Sequence, residues 1–382
     1  MPNLMPPAWA AVDPAELRFI LMEIIGGPGQ FDNRAGNPDV FHLPLARQHC
    51  CVTVTFSDKR IVAIEPGPAF DATKWAQVVS EIDNGRPPVV GRDCSFSGYR
   101  VDGSWRGAHS GIQILPPPAG APVAPFEMAD HPFLLEFPVI AGDVWPITNF
   151  RRMREHRRLS LLLNVLLKGG ITTQPQRGRH LWAVPANGQL EEAMWVQEFY
   201  YANFGNAVQD HLSPAAAAAI EEIAPDTYYA MIGQDGRSLR VPADLDESIC
   251  SFLALSKTER DAFGRASFWM DTASRVFAIS TSASFASLVI AIEALGERNK
   301  GATARFRDFI NRHARGASLE KRNKMYELRS DIIHGTGLME SDKAAHFSWA
   351  PPEQDERDLM DELSTLARVA IRHWLKNPAE RR

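Results

Sequence analysis

Residues 285–295 are FASLVIAIEAL, a stretch in which apolar side chains recur at intervals of three or four positions. In an α-helix this spacing collects on one face Phe285, Leu288, Val289, Ile292 and Leu295. We therefore expect a helix from about Ser284 to Gly296 that packs this face against other helices.

The same helical period continues on both sides of this stretch, from about Ser248 onward. Further helices are predicted over Lys257–Ile279, Ala304–Ala314, Ser318–His334 and Asp355–Lys376. Gly335 and Gly337 are expected to end the helix that begins at Ser318. Because the connections are short and the helices amphipathic, we predict an all-α antiparallel bundle in a C-terminal domain, residues 246–382.

Upstream, in residues 1–245, strand-like and helical patterns alternate. Asp13, Pro14 and Gly26 mark the start and the end of a first helix. The further expected elements are strands at Cys51–Phe56 and Arg60–Ile64, a helix at Asp71–Ile82, a strand at Phe133–Ile140, a helix at Phe150–Lys168, and a strand pair at His180–Val184 and Met194–Tyr201. We predict an α+β region, either undivided or split in the proline-rich stretch 115–125, LPPPAGAPVAP.

Composition limits the classes of function. The 382 residues are 45% hydrophobic and 23% charged, with a net charge of −5, so any nucleic-acid site must be local. The longest mostly apolar run, Leu288–Leu295, is shorter than the roughly 20 residues of a membrane span. No signal peptide is recognisable, and the four cysteines form no CxxC pair, so we expect a cytoplasmic protein without a membrane partner.

The segment 326–335, YELRSDIIHG, holds the strongest chemical signal in the chain. Arg329 offers a fixed fork of donors to a phosphate and keeps its charge at any working pH. His334 can take a proton from a 2′-hydroxyl or give one to a leaving oxygen. The pair is therefore suited to cleaving RNA without a metal or a cofactor.

The pattern of 285–295, followed by a basic helix and then by 326–335, resembles the Apea-like HEPN domains of bacteria. Arg329 and His334 match the R-x4–6-H motif that marks the RNase site of HEPN proteins, and Glu293 matches an acidic position of the preceding core helix. Ser330 departs from the more familiar Asn, Asp or His after the arginine, although serine is usual in the Apea-like subset. With Glu293, the expected supporting side chains are Tyr326, Ser330 and Asp331. The resemblance covers about residues 248–376.

This resemblance implies an endoribonuclease that leaves a 2′,3′-cyclic phosphate, in a toxin–antitoxin or antiphage response. An antitoxin or a phage trigger would then be a partner, and residues 1–245 would be the sensor or regulator. It also implies a homodimer. A helix turns about 140° between Arg329 and His334, so two facing copies would complete one cleft more easily than a single chain.

A basic stretch precedes the motif and is a candidate for holding the phosphates of RNA, tRNA included. Its cationic side chains are Arg305, Arg307, Arg312, Arg315, Lys321, Arg322 and Lys324. A solvated face of a soluble bundle would have the same composition. Both interpretations stay open on the sequence alone.

Alternatives exist for the motif as well. In one alternative, Arg329 only pairs with Glu293 and His334 caps its helix, in a silent bundle that serves for dimerisation or RNA binding. A basic run at 150–158, FRRMREHRR, could bind RNA or a phosphorylated ligand, or be the exposed start of a helix. A zinc site at His49, Cys50, Cys51 and Cys94 is disfavoured, because consecutive strand residues point to opposite faces.

Overall fold

The structure is a computed structural model of the chain. It describes residues 3–6, 9, 12, 14–26, 30–32, 40–44, 49–57, 60–84, 86–117, 130–142, 145–168, 170–173, 182–183, 191–192, 207–230, 238–277, 279–297, 300–314, 318–343 and 354–381. The chain divides into two compact units. The first comprises Met1–Val89 and Val139–Met153, and the second Val90–Pro138 and Arg154–Arg382.

The first unit contains helix α1 (Pro14–Ile25), four strands and helix α2 (Ala72–Asn84). The strands β1 (Gln30–Asp32), β2 (Val40–Leu43), β3 (Val52–Ser57) and β4 (Arg60–Pro66) form one antiparallel sheet in the order β1-β2-β3-β4. The predicted helices and the predicted β3–β4 pair are confirmed. Gly26, with φ 91°, follows α1 in a backbone conformation that suits glycine, which explains why the helix ends there.

The second unit begins with a five-stranded sheet. Its strands are β5 (Val89–Ser97), β6 (Trp105–Arg106), β7 (Gln113–Leu115), β8 (His131–Val139) and β11 (Ala207–Gln209). Between β8 and β11 in the chain, β9 (Trp182–Ala183) and β10 (Glu191–Glu192) form a separate antiparallel pair. The spatial order is β11-β5-β8-β7-β6. Helix α3 (Trp145–Leu166) follows β8 and starts five residues before the predicted Phe150.

Two predictions in this region are settled only in part. The strand predicted at His180–Val184 is described at Trp182–Ala183, where it pairs with Glu191–Glu192. The other predicted strand, Met194–Tyr201, lies outside the described residues. The proline-rich stretch 115–125 begins with Leu115 inside β7, and its residues 118–125 also lie outside them.

The C-terminal part of the second unit is helical. It is preceded by helix α4 (Pro225–Ala230) and by two short strands, β12 (Glu222–Ile223) and β13 (Val241–Pro242), which pair in parallel. The helices that follow are α5 (Leu245–Leu253), α6 (Lys257–Val276), α7 (Thr281–Glu293), α8 (Ala302–His313), α9 (Leu319–His334), α10 (Glu340–Lys343) and α11 (Gln354–Lys376). A short 3-10 turn, Pro378–Glu380, follows α11. The five predicted helices are confirmed with shifts of a few residues at their ends.

Helix α7 lies at the centre of the helical part. It contacts α6, α8, α9, α10 and α11. Phe285, Val289 and Ile292 are completely buried, as the spacing of the apolar residues predicts. Burying such side chains contributes roughly 1.5–3 kcal/mol each, so this packing holds α7, α9 and α11 in one core.

The units do not end where the sequence changes from mixed to helical structure. The second unit takes in residues 90–138 as well as the helices, whereas the predicted boundary lies between residues 245 and 246. The mixed N-terminal region and the helical C-terminal part are both present, but the two compact units have other bounds than residues 1–245 and 246–382. Among the described helices, none has the length and apolar content needed to cross a membrane.

Candidate functional site

Helix α9 carries the motif, and its two ends are fixed by local chemistry. The side chain of Ser318 accepts a hydrogen bond from the backbone N–H of Lys321 at the N-terminus. At the other end Gly335 adopts a left-handed conformation, with φ 72°. The N–H groups of Thr336 and Gly337 donate to the carbonyl oxygen of Asp331, at 2.8 and 3.2 Å. His334 is therefore the last residue of the helix.

The chain after α9 is tied to the start of α7 by Asp342. This carboxylate accepts hydrogen bonds from the Ser280 hydroxyl (2.8 Å) and from the backbone N–H groups of Thr281 (3.0 Å) and Ser282 (2.8 Å). A carboxylate at a helix N-terminus satisfies N–H groups that have no partner within the helix. Burial alone would raise the pKa of Asp342, but these hydrogen bonds lower it on balance.

Arg329 pairs with Glu293, the last residue of α7. One guanidinium nitrogen, Nη2, lies 3.0 Å from Glu293 Oε2, and the side chains are only 14% and 8% exposed. Burial raises the pKa of Glu293, and the charges of Arg329 and Arg305 offset only part of that rise. The predicted supporting role of Glu293 thus has a geometric basis: it orients the arginine.

The ring of Tyr326 packs against the same arginine. The guanidinium carbon of Arg329 lies 5.7 Å from the centre of the Tyr326 ring, and that ring lies 6.1 Å from the ring of Phe306 in α8. The guanidinium is therefore held by a carboxylate and by an aromatic face. Its Nε has no hydrogen-bond partner within the described part of the chain, and neither has Oε1 of Glu293.

His334 is exposed at the end of α9. Ser330 and Asp331 precede it by four and three positions and so lie on the same side of the helix. Asp331 also accepts a hydrogen bond from the Thr336 hydroxyl (3.3 Å). No contact joins the imidazole to Arg329 in the described part of the structure, so one chain holds the two motif residues without bringing them together.

Two large apolar side chains near His334 are exposed. Ile333 is 49% exposed and Leu338 is 47% exposed. Ile333 follows Arg329 by four residues, which places both on nearly the same side of α9. Another molecule could cover both side chains, and single exposed aliphatic residues are also common on protein surfaces.

The basic stretch is only partly available to a ligand. Lys321 pairs with Glu362 at 2.6 Å, and Arg312 pairs with Glu297 at 3.2 Å. Lys324 is exposed on α9. Arg305, Arg307 and Arg322 are half-buried, and Arg315 lies outside the described residues. The structure therefore leaves fewer cations for RNA than the sequence predicts.

A cluster that the sequence did not predict lies where α8 and α11 end. His313 Nδ1 is 3.2 Å from His373 Nδ1, which is 3.9 Å from a carboxylate oxygen of Glu380. His313 is buried, and burial together with His373 and Arg312 lowers its pKa to about 4. Sixty positions separate the two histidines, so spacing in the sequence gives no signal.

Residues predicted as weaker candidates have structural partners. Arg151 is buried and pairs with Glu16 at 2.7 Å, so this part of the basic run 150–158 is not exposed. Cys50 and Cys51 are buried in the first unit, and burial with the nearby Asp93 raises the pKa of Cys94 to about 12. These cysteines are packed as reduced apolar side chains.

One hydrogen-bonded group in the second unit has the residue types of a hydrolase triad. Ser95 Oγ lies 2.6 Å from His156 Nε2, and His156 Nδ1 lies 3.9 Å from an oxygen of Asp93. All three side chains are buried. A nucleophile must reach its substrate, so we interpret this group as a buried polar network of the sheet.

No family model, no curated protein and no solved structure matches this chain. The resemblance to Apea-like HEPN domains therefore stays a prediction that rests on residues 285–295 and 326–335. The geometry above adds the contacts of those residues within this fold.

Proposed function

We propose that the helical part is a HEPN-type bundle that cleaves RNA without a metal, with Arg329 and His334 as the catalytic residues. The observation that carries this proposal is the Arg329–Glu293 pair, 3.0 Å apart. An arginine that must meet a phosphate in one orientation benefits from a rigid support of this kind.

Each residue has a defined part in the proposed reaction. His334 removes the proton of a 2′-hydroxyl, and the freed oxygen attacks the adjacent phosphorus. The bond from phosphorus to the 5′-oxygen breaks, and that oxygen takes a proton from an imidazolium or from water. Arg329 stabilises the charge on the phosphate oxygens. The products are a 2′,3′-cyclic phosphate and a 5′-hydroxyl.

The catalytic pair requires a second copy of the chain. Within one chain His334 is exposed and makes no described contact with Arg329. Two copies of α9 facing each other would bring both residues of each copy into one cleft. The exposed Ile333 and Leu338 would become the apolar part of that interface.

The substrate would be RNA, with tRNA as a first candidate, and Lys324 would add a phosphate contact. By the resemblance, the physiological setting would be antiphage or toxin–antitoxin defence in the bacterial cytoplasm, with the mixed N-terminal region as sensor. Phage survival that does not change when the gene is deleted would argue against this role.

One observation favours a second candidate function. Arg329 has a partner within its own chain, which fits a structural residue in a bundle that binds RNA or dimerises without cleaving. This scaffold would keep its dimer interface and lack chemistry at His334. The two candidates differ only in whether cleavage depends on the motif.

The test is cleavage of total RNA and tRNA in EDTA by the full chain and four variants. Arg329→Lys keeps the charge and removes the fork of donors, and His334→Ala removes the imidazole. His211→Ala and Arg357→Ala are matched controls at exposed positions. We expect cleavage by the wild type and the controls only, with cyclic phosphate ends. Cleavage by His334→Ala at the wild-type rate would exclude the proposed site, and RNA binding without cleavage by any protein would favour the scaffold.

A further inference from the structure

The cluster at the ends of α8 and α11 has the composition of a metal site. It joins the imidazoles of His313 and His373 to the carboxylate of Glu380, and the three ligand atoms lie within 4.8 Å of one another. We infer that these three side chains bind a borderline divalent transition metal, with Zn²⁺ as the test ion. This inference does not depend on the proposed RNase function.

The distances fit such an ion. Two nitrogens that each lie about 2.0–2.1 Å from a tetrahedral zinc are about 3.3–3.4 Å apart. The two Nδ1 atoms are 3.2 Å apart. The carboxylate oxygen of Glu380 lies 3.9 Å from His373 Nδ1 and within 4.8 Å of the His313 ligand atom, so it has to move towards both imidazoles to reach an edge of about 3.3 Å.

The donor set selects the class of ion. Imidazole nitrogens suit zinc, copper, nickel and iron, while Mg²⁺ and Ca²⁺ prefer oxygen ligands. Two histidines with one glutamate also form the protein ligands of zinc sites that keep a position for water or substrate. We therefore expect Zn²⁺ or Co²⁺ to bind and Mg²⁺ to be a poor competitor.

The three side chains come from elements that are held in place. The ring of Phe309 lies 4.6 Å from the ring of His313, which fixes that imidazole. The chain after His373 is fastened by Arg381, which donates to the carbonyl oxygen of Trp374 at 3.1 Å and lies over the Trp374 ring. Glu380 therefore sits on an anchored turn and not on a loose chain end.

The site opens on one side. The side chains of His373 and Glu380 are 39% and 46% exposed, while His313 is buried. His313 also lines a small cleft with Lys300, Arg312, Glu297 and Asp308. Arg312 would repel a cation, but its charge is paired with Glu297 at 3.2 Å. A bound metal would thus have a free position on the exposed side of the site. The charges of the neighbouring cleft are largely paired, since Lys300 lies 2.6 Å from Asp308.

The test is Zn²⁺ binding by the full chain, measured by calorimetry, with Co²⁺ absorption as a second readout. We expect one ion per chain and a Co²⁺ spectrum typical of four-coordinate nitrogen and oxygen ligands. His373→Ala and Glu380→Gln should each weaken binding by more than about tenfold, the smallest loss typical of residues that only support metal ligands. Both residues are half-exposed, so these variants should fold.

His211→Ala is the matched control, because His211 is an exposed histidine outside the cluster. It should bind Zn²⁺ as the wild type does. Equal affinity of His211→Ala and His373→Ala, or an unchanged Co²⁺ spectrum in both, would overturn the inference. A wild type that binds no Zn²⁺ would overturn it as well. RNA cleavage in EDTA tests the other site, so failure of one proposal does not imply failure of the other.

Discussion

The guanidinium of Arg329 in α9 lies 3.0 Å from the carboxylate of Glu293 in α7, and both side chains are largely buried. This contact links the helix that carries the motif to the central helix of the core. Removing one partner of a buried pair costs about 3–5 kcal/mol, because the other charge stays buried without a partner.

The first prediction concerns this pair. Arg329→Ala should lower the free energy of unfolding by about 3 kcal/mol, since it leaves Glu293 buried alone. The double variant Glu293→Gln, Arg329→Ala should regain more than about 1 kcal/mol of that loss. Urea denaturation of the wild type, of the single variants Arg329→Ala and Glu293→Gln, and of the double variant measures the coupling. Additive losses would mean that the pair contributes nothing to folding.

The second prediction concerns the end of α9. Gly335→Ala should destabilise the protein by about 1–2 kcal/mol, because a side chain at φ 72° is strained even where space is open. Gly264→Ala is the matched control: Gly264 is exposed within α6, has open space around it, and should gain up to about 1 kcal/mol. Thermal unfolding separates the two. Equal shifts of Tm in the same direction would contradict the left-handed cap.

The third prediction is a pH dependence. Hydrogen bonds from Ser280, Thr281 and Ser282 outweigh burial and lower the pKa of Asp342 below that of the unfolded chain, about 3.9. A lowered carboxyl pKa stabilises the fold above the unfolded pKa and ceases to do so as the pH falls through the folded pKa. Asp342→Asn should therefore unfold at a lower temperature than wild type at pH 7.

That difference should shrink as the pH falls below about 4, because the unfolded chain takes up the proton first, and it should vanish once the folded carboxyl is protonated as well. Unfolding temperatures recorded across the acid range test this. A gap between the two proteins that stays constant down to the lowest pH at which both fold would show that the amide fails for a steric reason and not for lack of charge.

The fourth prediction concerns the proposed dimer. Ile333→Glu should shift the protein towards monomers in light scattering, because it puts a charge into the expected apolar interface. Val208→Glu places the same charge at an exposed position of the five-stranded sheet and should leave the mass unchanged. A wild type that is monomeric at every concentration would remove the basis for a shared cleft.

The sequence predicts the helical part well because the helical spacing of apolar residues and the capping residues indicate the same helices. The apolar spacing of α7 and the cap residues Ser318 and Gly335 each act locally, so they are visible without a structure. Strand β5 was not predicted, because its sequence VVGRDCSFS buries Asp93, Ser95 and Ser97 and lacks an alternating pattern. Its polar residues are explained only by partners distant in sequence.

The site follows the same rule. The Arg329–Glu293 contact joins two predicted helices and could be anticipated from the motif. The His313–His373–Glu380 cluster depends on how α8 and α11 end beside each other, which no local pattern encodes. The pairing of Lys321 with Glu362 likewise comes from packing, and it reduces the basic surface that composition alone predicts.

Helix α7 contacts the segment that carries the motif at two points. Asp342, which follows the motif in the chain, accepts a hydrogen bond in the first turn of α7, and Arg329 pairs with the last residue of α7. The distance along α7 between Ser282 and Glu293 therefore fixes where the segment that bears His334 is held. Inserting one residue in α7 would rotate one anchor by about 100° relative to the other. Transferring the ten-residue motif alone into another helical bundle should consequently not reproduce its geometry. Such a transfer would have to include α7 and Asp342.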